Sequence, residues 1–197
     1  MREPVFAARR RFGPHHGGRW TAWVTWSGLT QVRELISLDT ILCPAVPDSL
    51  VPEDWEHNVH ADYQIANFRS LEYLARRVAG TPDLHLLALL QNPDADEVAR
   101  VRLPAFELAG FELLDIHGDV SALTNCGGFP AGFAADELNA AGLLADLRRA
   151  DEVRRGLRRA YPDEPHAVCD VWAVWQPRTA GPASPSSTAA PSSGHDA

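Results

Sequence analysis

Leu84-His85-Leu86-Leu87-Ala88-Leu89-Leu90, closed by Asn92-Pro93, is the stretch whose reading decides the fold. Seven nearly continuous apolar residues ended by turn chemistry are too few for a buried helix. They predict a strand covered on both faces. Downstream, Phe106 to Ile116 reads as extended, with Gly110 as a bulge or bend. His117-Gly118-Asp119 then separates Ile116 from Val120 as a short hairpin loop. Asp136 caps a short helix that stops near Gly142. Leu143, Leu147, Ala150, Val153, Leu157 and Tyr161 recur at spacings of three and four, and Pro162 ends that helix. Val168 to Trp175 is a last strand, apolar except for Asp170.

Upstream of the apolar run, Val59, Tyr63, Ala66, Leu71, Leu74 and Val78 mark one face of a helix stopped by Gly80 and Pro82. Cys43-Pro44 to Pro52 reads as a loop. Val32, Glu34, Ile36 and Leu38 alternate as a strand would, although the same residues tolerate a short helix. Trp20, Ala22, Val24 and Trp26 alternate with Thr21, Trp23 and Thr25, and predict a strand closed by Ser27-Gly28. Strands and helices in this order predict an α+β fold. Its mixed or antiparallel sheet would have about five to six strands and two main helices. The order is compatible with a split-βαβ, ferredoxin-like core.

Three segments follow from composition. Residues 1–19, with Arg9-Arg10-Arg11 and paired histidines, lack periodicity and read as a flexible basic arm. Residues 20–176 hold the apolar pattern of one domain, within the size one core supports. From 177 to 197 the chain is Pro, Ser, Ala, Thr and Gly without large apolar residues. Such a tail buries too little surface to offset its ordering entropy.

The net charge of −8 places an acidic body between two arginine-rich stretches, which argues against broad nucleic-acid binding. All basic residues are arginine and none is lysine, a bias read as that of a GC-rich, bacterial-type genome. Three cysteines without a C-x-x-C pair do not make a disulfide framework, and the first residues lack an apolar leader. The sequence shows no apolar run of membrane-spanning length, so the expected address is a reducing cytoplasm without membrane partners.

Candidate chemistry centres first on Asn125-Cys126-Gly127-Gly128-Phe129-Pro130. A thiolate nucleophile needs a base within hydrogen-bond reach and donors for a developing oxyanion. Gly127 and Gly128 offer backbone N–H groups, His117 or His166 the base, and Asn125 an orienting amide. The plainer account is a buried thiol beside a tight turn. The second centre is Glu53 to Asp62, where His57 and His60 share a face if one helix runs through them. With Asp62 they would form a metal site. There the plainer account is a helix start, with Asp54 as N-cap and Trp55 as a packing staple. A mixed metal site from Cys43, Cys126, His166 and Cys169 is weaker, because strand alternation separates His166 from Cys169.

The arginines of the last helix form a ridge suited to phosphate, RNA or an acidic partner. Glu152 within it points instead to a self-neutralised, solvated face. Among the tryptophans, Trp23 faces away from Trp20 and Trp26 in a strand reading, and so would line a pocket or interface. Together these features favour a module that binds a protein or small ligand through Trp23, Trp55 and the loops around Gly127 and Gly128. A hydrolase or transferase using Cys126 is the alternative, and a metal protein using His57 and His60 the second. No cofactor is indicated.

Overall fold

The computed structural model describes residues 2–58, 67–117, 120–125 and 132–178. Its elements are, in chain order, β1 (Val5–Arg10), α1 (Gly18–Ser27), β2 (Ala45–Val46), α2 (Pro52–His57), α3 (Leu71–Arg77) and β3 (Leu84–Gln91). They continue with α4 (Ala95–Arg100), β4 (Phe106–Asp115), α5 (Leu147–Ala160) and β5 (Cys169–Pro177). The strands form one five-stranded sheet in the order β2-β1-β3-β5-β4, each antiparallel to its neighbours. This is the expected α+β class.

β3 and β4 therefore run parallel to each other with β5 between them, a split unit joined through α4. A ferredoxin-like core has a hairpin between its middle strands. Here a helix separates β3 from β4 and another separates β4 from β5.

The apolar run 84–90 is β3, central in the sheet, with Leu87, Ala88 and Leu89 fully buried. Its alternation serves two cores. Ala88 and Leu90 join Phe6, Ala8, Leu113, Val171 and Ala173 beneath α3 and α5, where Leu74, the α3 C-cap residue Val78, Ala150, Val153 and Leu157 complete the core. Leu87 and Leu89 join Ala7, Leu114, Trp172 and Val174 on the opposite face, beneath Ile36, Leu38 and Leu143. Gly110 is the expected irregularity, a register shift in the β4–β5 ladder. Its φ is +147°, and an added Cβ would fall 2.7 Å from the Leu144 carbonyl oxygen, so only glycine fits.

Four expectations need correction. Residues 5–10 are a strand in the middle of the sheet rather than part of a free arm. Phe6, Ala7 and Ala8 supply its apolar contacts, and even Arg9 is buried. Residues 20–26 are helical, not extended. Trp20 and Trp23 are one turn apart and buried together, and Gly28 in the left-handed region (φ 72°) closes α1 on the Val24 carbonyl. Residues 31–42 form an irregular segment with one bridge, Leu35 to Phe12, because their apolar side chains reach both cores rather than one face. The expected helix from Val59 is described only as α3, capped by Ser70. Phe68 is extended there and pairs with Phe6 through two backbone bonds of 2.8 and 2.7 Å. Residues 59–66 lie outside the described residues, as does the tail from 179.

The short α4 was not anticipated. Its signal was present as a capping box, with Asp94 accepting from the Glu97 N–H and Glu97 from the Asp94 N–H. The expected helix at Asp136 is a single turn, Ala135–Glu137, and α5 starts at Leu147 on an Asp146 N-cap. Among the described residues no helix is long and apolar enough to cross a membrane.

Candidate functional site

β4 carries two buried acids, Glu112 and Asp115, three residues apart and therefore on opposite faces of the sheet. Each has a different fate.

Glu112 is fully buried on the face beneath residues 36–38. Its carboxyl accepts from the Ser121 hydroxyl at 2.6 Å and from the Leu38 N–H at 3.3 Å. Burial drives its pKa up to about 7. Hydrogen bonds from Ser121 and Ser37 resist that rise, and the neighbouring Asp39 adds to it. Asp39, also buried, accepts from the N–H groups of Ile41 and Leu42 at 2.8 Å each. Its other oxygen accepts from the Ser121 N–H and the Asn125 amide at 2.9 Å each. These two acids pin segment 37–42 to the turn at 121–125. Trp23 pins the same turn from α1 by donating its indole N–H to the Thr124 carbonyl at 3.1 Å.

The hairpin expected after β4 is present as backbone bonds from Asp115 N–H to Val120 and from Ala122 N–H to Leu113. Asn125 thus stands at the end of a well-held turn, engaged with Asp39. Cys126, Gly127 and Gly128 lie outside the described residues.

Asp115 faces the α5 side of the sheet, and its carboxylate receives His166 Nδ1 at 2.8 Å. The acid is nearly covered while the imidazole keeps 39% of its side-chain surface. His166 sits in a single helical turn, Pro165–Ala167, just before β5. The residues that follow each partner, Ile116 after Asp115 and Ala167–Val168 after His166, are tied by an Ile116 N–H to Val168 carbonyl bond of 3.1 Å.

Those same residues line a cleft of about 270 Å³, together with Cys169 and Asp170 of β5 and Arg154, Arg155 and Arg158 of α5. The amphipathic pattern of α5 explains this placement. Ala150, Val153 and Leu157 turn inward, which leaves the arginines between them at the helix flank above β5.

The expected self-neutralisation of that ridge is real for part of it. Arg149 is held by Glu137 (2.5 Å) and Glu152, Arg148 reaches Glu152 at 3.9 Å, and Arg154 pairs with Asp151 at 2.8 Å. Arg155 and Arg158, one turn apart, have no hydrogen-bond or ion-pair partner among the described residues. Asp170 is blunted by the Gln91 and Asn92 amides at 2.7 and 2.8 Å. The cleft therefore keeps two uncommitted guanidiniums.

The other sequence candidates are dispersed. Trp23 is 6% exposed, packed edge-on to Phe12, so the helix turns it into the core rather than toward a pocket. Trp55 is 45% exposed on α2. His57 stacks on Tyr73 with ring centroids 4.0 Å apart. α2 stops at His57, and Asn58 is extended, so the one-face geometry assumed for His57 and His60 is not continued. His60 and Asp62 lie outside the described residues. No group of three metal-ligating side chains occurs among the described residues.

Asp54 is the third residue of α2 rather than its N-cap. Burial would raise its pKa, but the Tyr73 hydroxyl at 2.6 Å, the Val51 N–H and Arg77 overcome that and hold it low. Cys43 is buried, and burial drives its thiol far upward. Burial pushes Cys169 up to about 12 despite Arg154 nearby. Both are protonated, inert thiols at neutral pH. His117 is exposed at the end of β4.

Sequence reasoning singled out His166 but missed Asp115, Asp39 and Glu112. The available signal was an acid at each of two positions inside an apolar strand, since carboxylates are rarely buried without a partner. No protein-family model, curated protein or solved structure matches the chain, so the site is read from its own chemistry.

Proposed function

We propose that the protein is a binding module for a small anionic ligand, seated in the cleft between α5 and the start of β5. The observation that carries this reading is the unpaired couple Arg155 and Arg158 over a formed cleft, on a helix whose other cleft-side arginine is neutralised. Two planar guanidiniums one turn apart present forked donors suited to the oxygens of a phosphate or carboxylate. The net charge of −8 favours a small anion over a polyanion, because the rest of the surface repels a long negative chain.

The test is calorimetric titration of the full chain with inorganic phosphate and with dimethyl phosphate at low salt. Saturable binding is expected, weakened at least tenfold in the Arg155→Ala/Arg158→Ala double variant. Equal affinity in the double variant, or no heat with either anion, refutes the reading.

The cysteine-dependent alternative keeps one supporting observation. The Asp115–His166 pair is the oriented imidazole that such an enzyme would require. The metal reading has no comparable support.

A further inference from the structure

β5 starts at the arginine cleft and ends, at Pro177, beside a second cavity of about 400 Å³. Its apolar lining comes from Phe106 and Leu108 of β4, Trp175 of β5 and Leu103 of the connection between α4 and β4. That connection is held by a tight turn. The Phe106 N–H donates to the Leu103 carbonyl at 2.9 Å, and Pro104 takes the position whose φ proline pre-sets. Phe106 and Trp175 are buried while Leu108 is exposed, so the apolar lining continues from the sheet to the surface.

Two arginines line the same cavity, and backbone carbonyls rather than acids fix them. Arg102 donates through Nη1 to the carbonyls of Ala99 and Val101 at 2.6 and 3.1 Å, acceptors left over at the end of α4. Arg178 donates its N–H to the Ala105 carbonyl at 2.9 Å and its Nε–H to the Phe106 carbonyl at 3.1 Å. Neither has an ion-pair partner among the described residues, and each keeps further N–H donors. Glu107 also borders the cavity. Strand alternation puts its carboxylate on the sheet face opposite Phe106 and Leu108, where the Gln176 amide reaches it at 3.4 Å. The side-chain charge facing the cavity is therefore positive.

We propose that this cavity is a second binding site, separate from the α5 cleft, for a small aromatic carboxylate. Its volume falls among those of small-molecule pockets. A carboxylate accepts the forked N–H pairs that Arg102 and Arg178 retain. A flat ring fills apolar space without freezing torsions, whereas a flexible acyl chain loses rotamer freedom on entry. The turn and the pinned guanidiniums are ordered before the ligand arrives, which lowers the cost of binding.

The experiment is calorimetric titration of the full chain with 2-naphthoate, beside acetate and 2-naphthylmethanol as its two halves. Saturable binding of one 2-naphthoate to the cavity is expected, at least tenfold tighter than either half. Arg102→Gln/Arg178→Gln should weaken 2-naphthoate at least tenfold and leave inorganic phosphate affinity unchanged. Arg155→Ala/Arg158→Ala should leave 2-naphthoate affinity unchanged. Leu108→Asp, at an exposed position, should weaken 2-naphthoate by adding a negative charge beside the site. Far-ultraviolet circular dichroism checks that each variant folds, and the comparison of the ligand with its halves needs no variant. The proposal is overturned if 2-naphthoate gives no saturable heat, or if 2-naphthylmethanol binds as tightly. It is equally overturned if the Arg102/Arg178 double variant keeps full affinity, or if the α5 variant loses it. Tighter binding of octanoate than of 2-naphthoate would overturn the assignment to an aromatic ligand.

Discussion

Glu112 and Asp115 occupy one strand, three residues apart, yet belong to different kinds of chemistry. Glu112 is sealed among Leu38, Ser121 and the second core, where its partners are hydroxyls and backbone N–H groups and its pKa rises to about 7. Asp115 is equally covered, but its partner His166 reaches solvent. Burying both members of a polar contact makes a fastening. Burying one and exposing the other leaves one partner of the contact open to solvent. The difference comes from strand alternation, which sends one acid under an irregular loop and the other toward the turn that carries His166.

The sharpest way to break this contrast is to remove Asp39, the hub of the buried side. Asp39→Ala leaves four donors without their acceptor and is expected to cost about 4 kcal/mol or more in chemical denaturation, since each orphaned buried group costs about 1–3 kcal/mol. Destabilisation below 1 kcal/mol would show that the knot is not what holds the 121–125 turn.

Next in size is a pH effect from Glu112. Its folded pKa is raised, so its full contribution is present below the unfolded value near 4.5 and is lost as pH climbs through about 7. Unfolding free energy is therefore expected to fall by up to roughly 3 kcal/mol across that window. Glu112→Gln should flatten this fall, and a slope identical in both proteins would assign it to other groups.

On the exposed side the stability effects shrink. His166→Ala takes the imidazole from the covered Asp115 carboxylate and is expected to cost about 1–3 kcal/mol in the same denaturation assay. A larger loss would mean that the pair is a second fastening. Smallest of all, Arg155→Ala and Arg158→Ala should leave stability within about 0.5 kcal/mol, because neither guanidinium has an internal partner to lose. A larger drop would show that they are already committed, and the cleft would not be available for a ligand.

The same contrast explains what could be read in the chain. β3, β4, β5 and α5 were legible because their apolar periodicities are long and locally consistent, and Gly110 was legible as a break in one of them. β1 was hidden because its apolar core, Val5 to Ala8, is short and embedded among arginines, one of which is itself buried. α1 was misread because alternating Trp and Thr satisfy a period of two. The competing signal, Trp20 and Trp23 at helical spacing before a C-terminal glycine, is only two turns long. Of the site, His166 stood out as a residue type near a strand end. Its partner lies fifty-one positions earlier and is supplied by the β4–β5 pairing, which periodicity does not specify. The arginine ridge was visible too, but which guanidiniums remain unpaired depends on side-chain reach rather than spacing.

The pairing along the margins of the sheet bears on how this chain behaves in a crowded solution. β4 is an outer strand, yet from Phe111 to Asp115 its outward N–H and carbonyl groups are engaged by Leu144, Val120 and Ala122. On the far side, β1 is shielded by two-residue β2 and by Phe68. An open ladder edge is a template on which a second chain can assemble. Both borders of this sheet are largely occupied by the chain's own loops, so growth by strand addition would first have to peel them away.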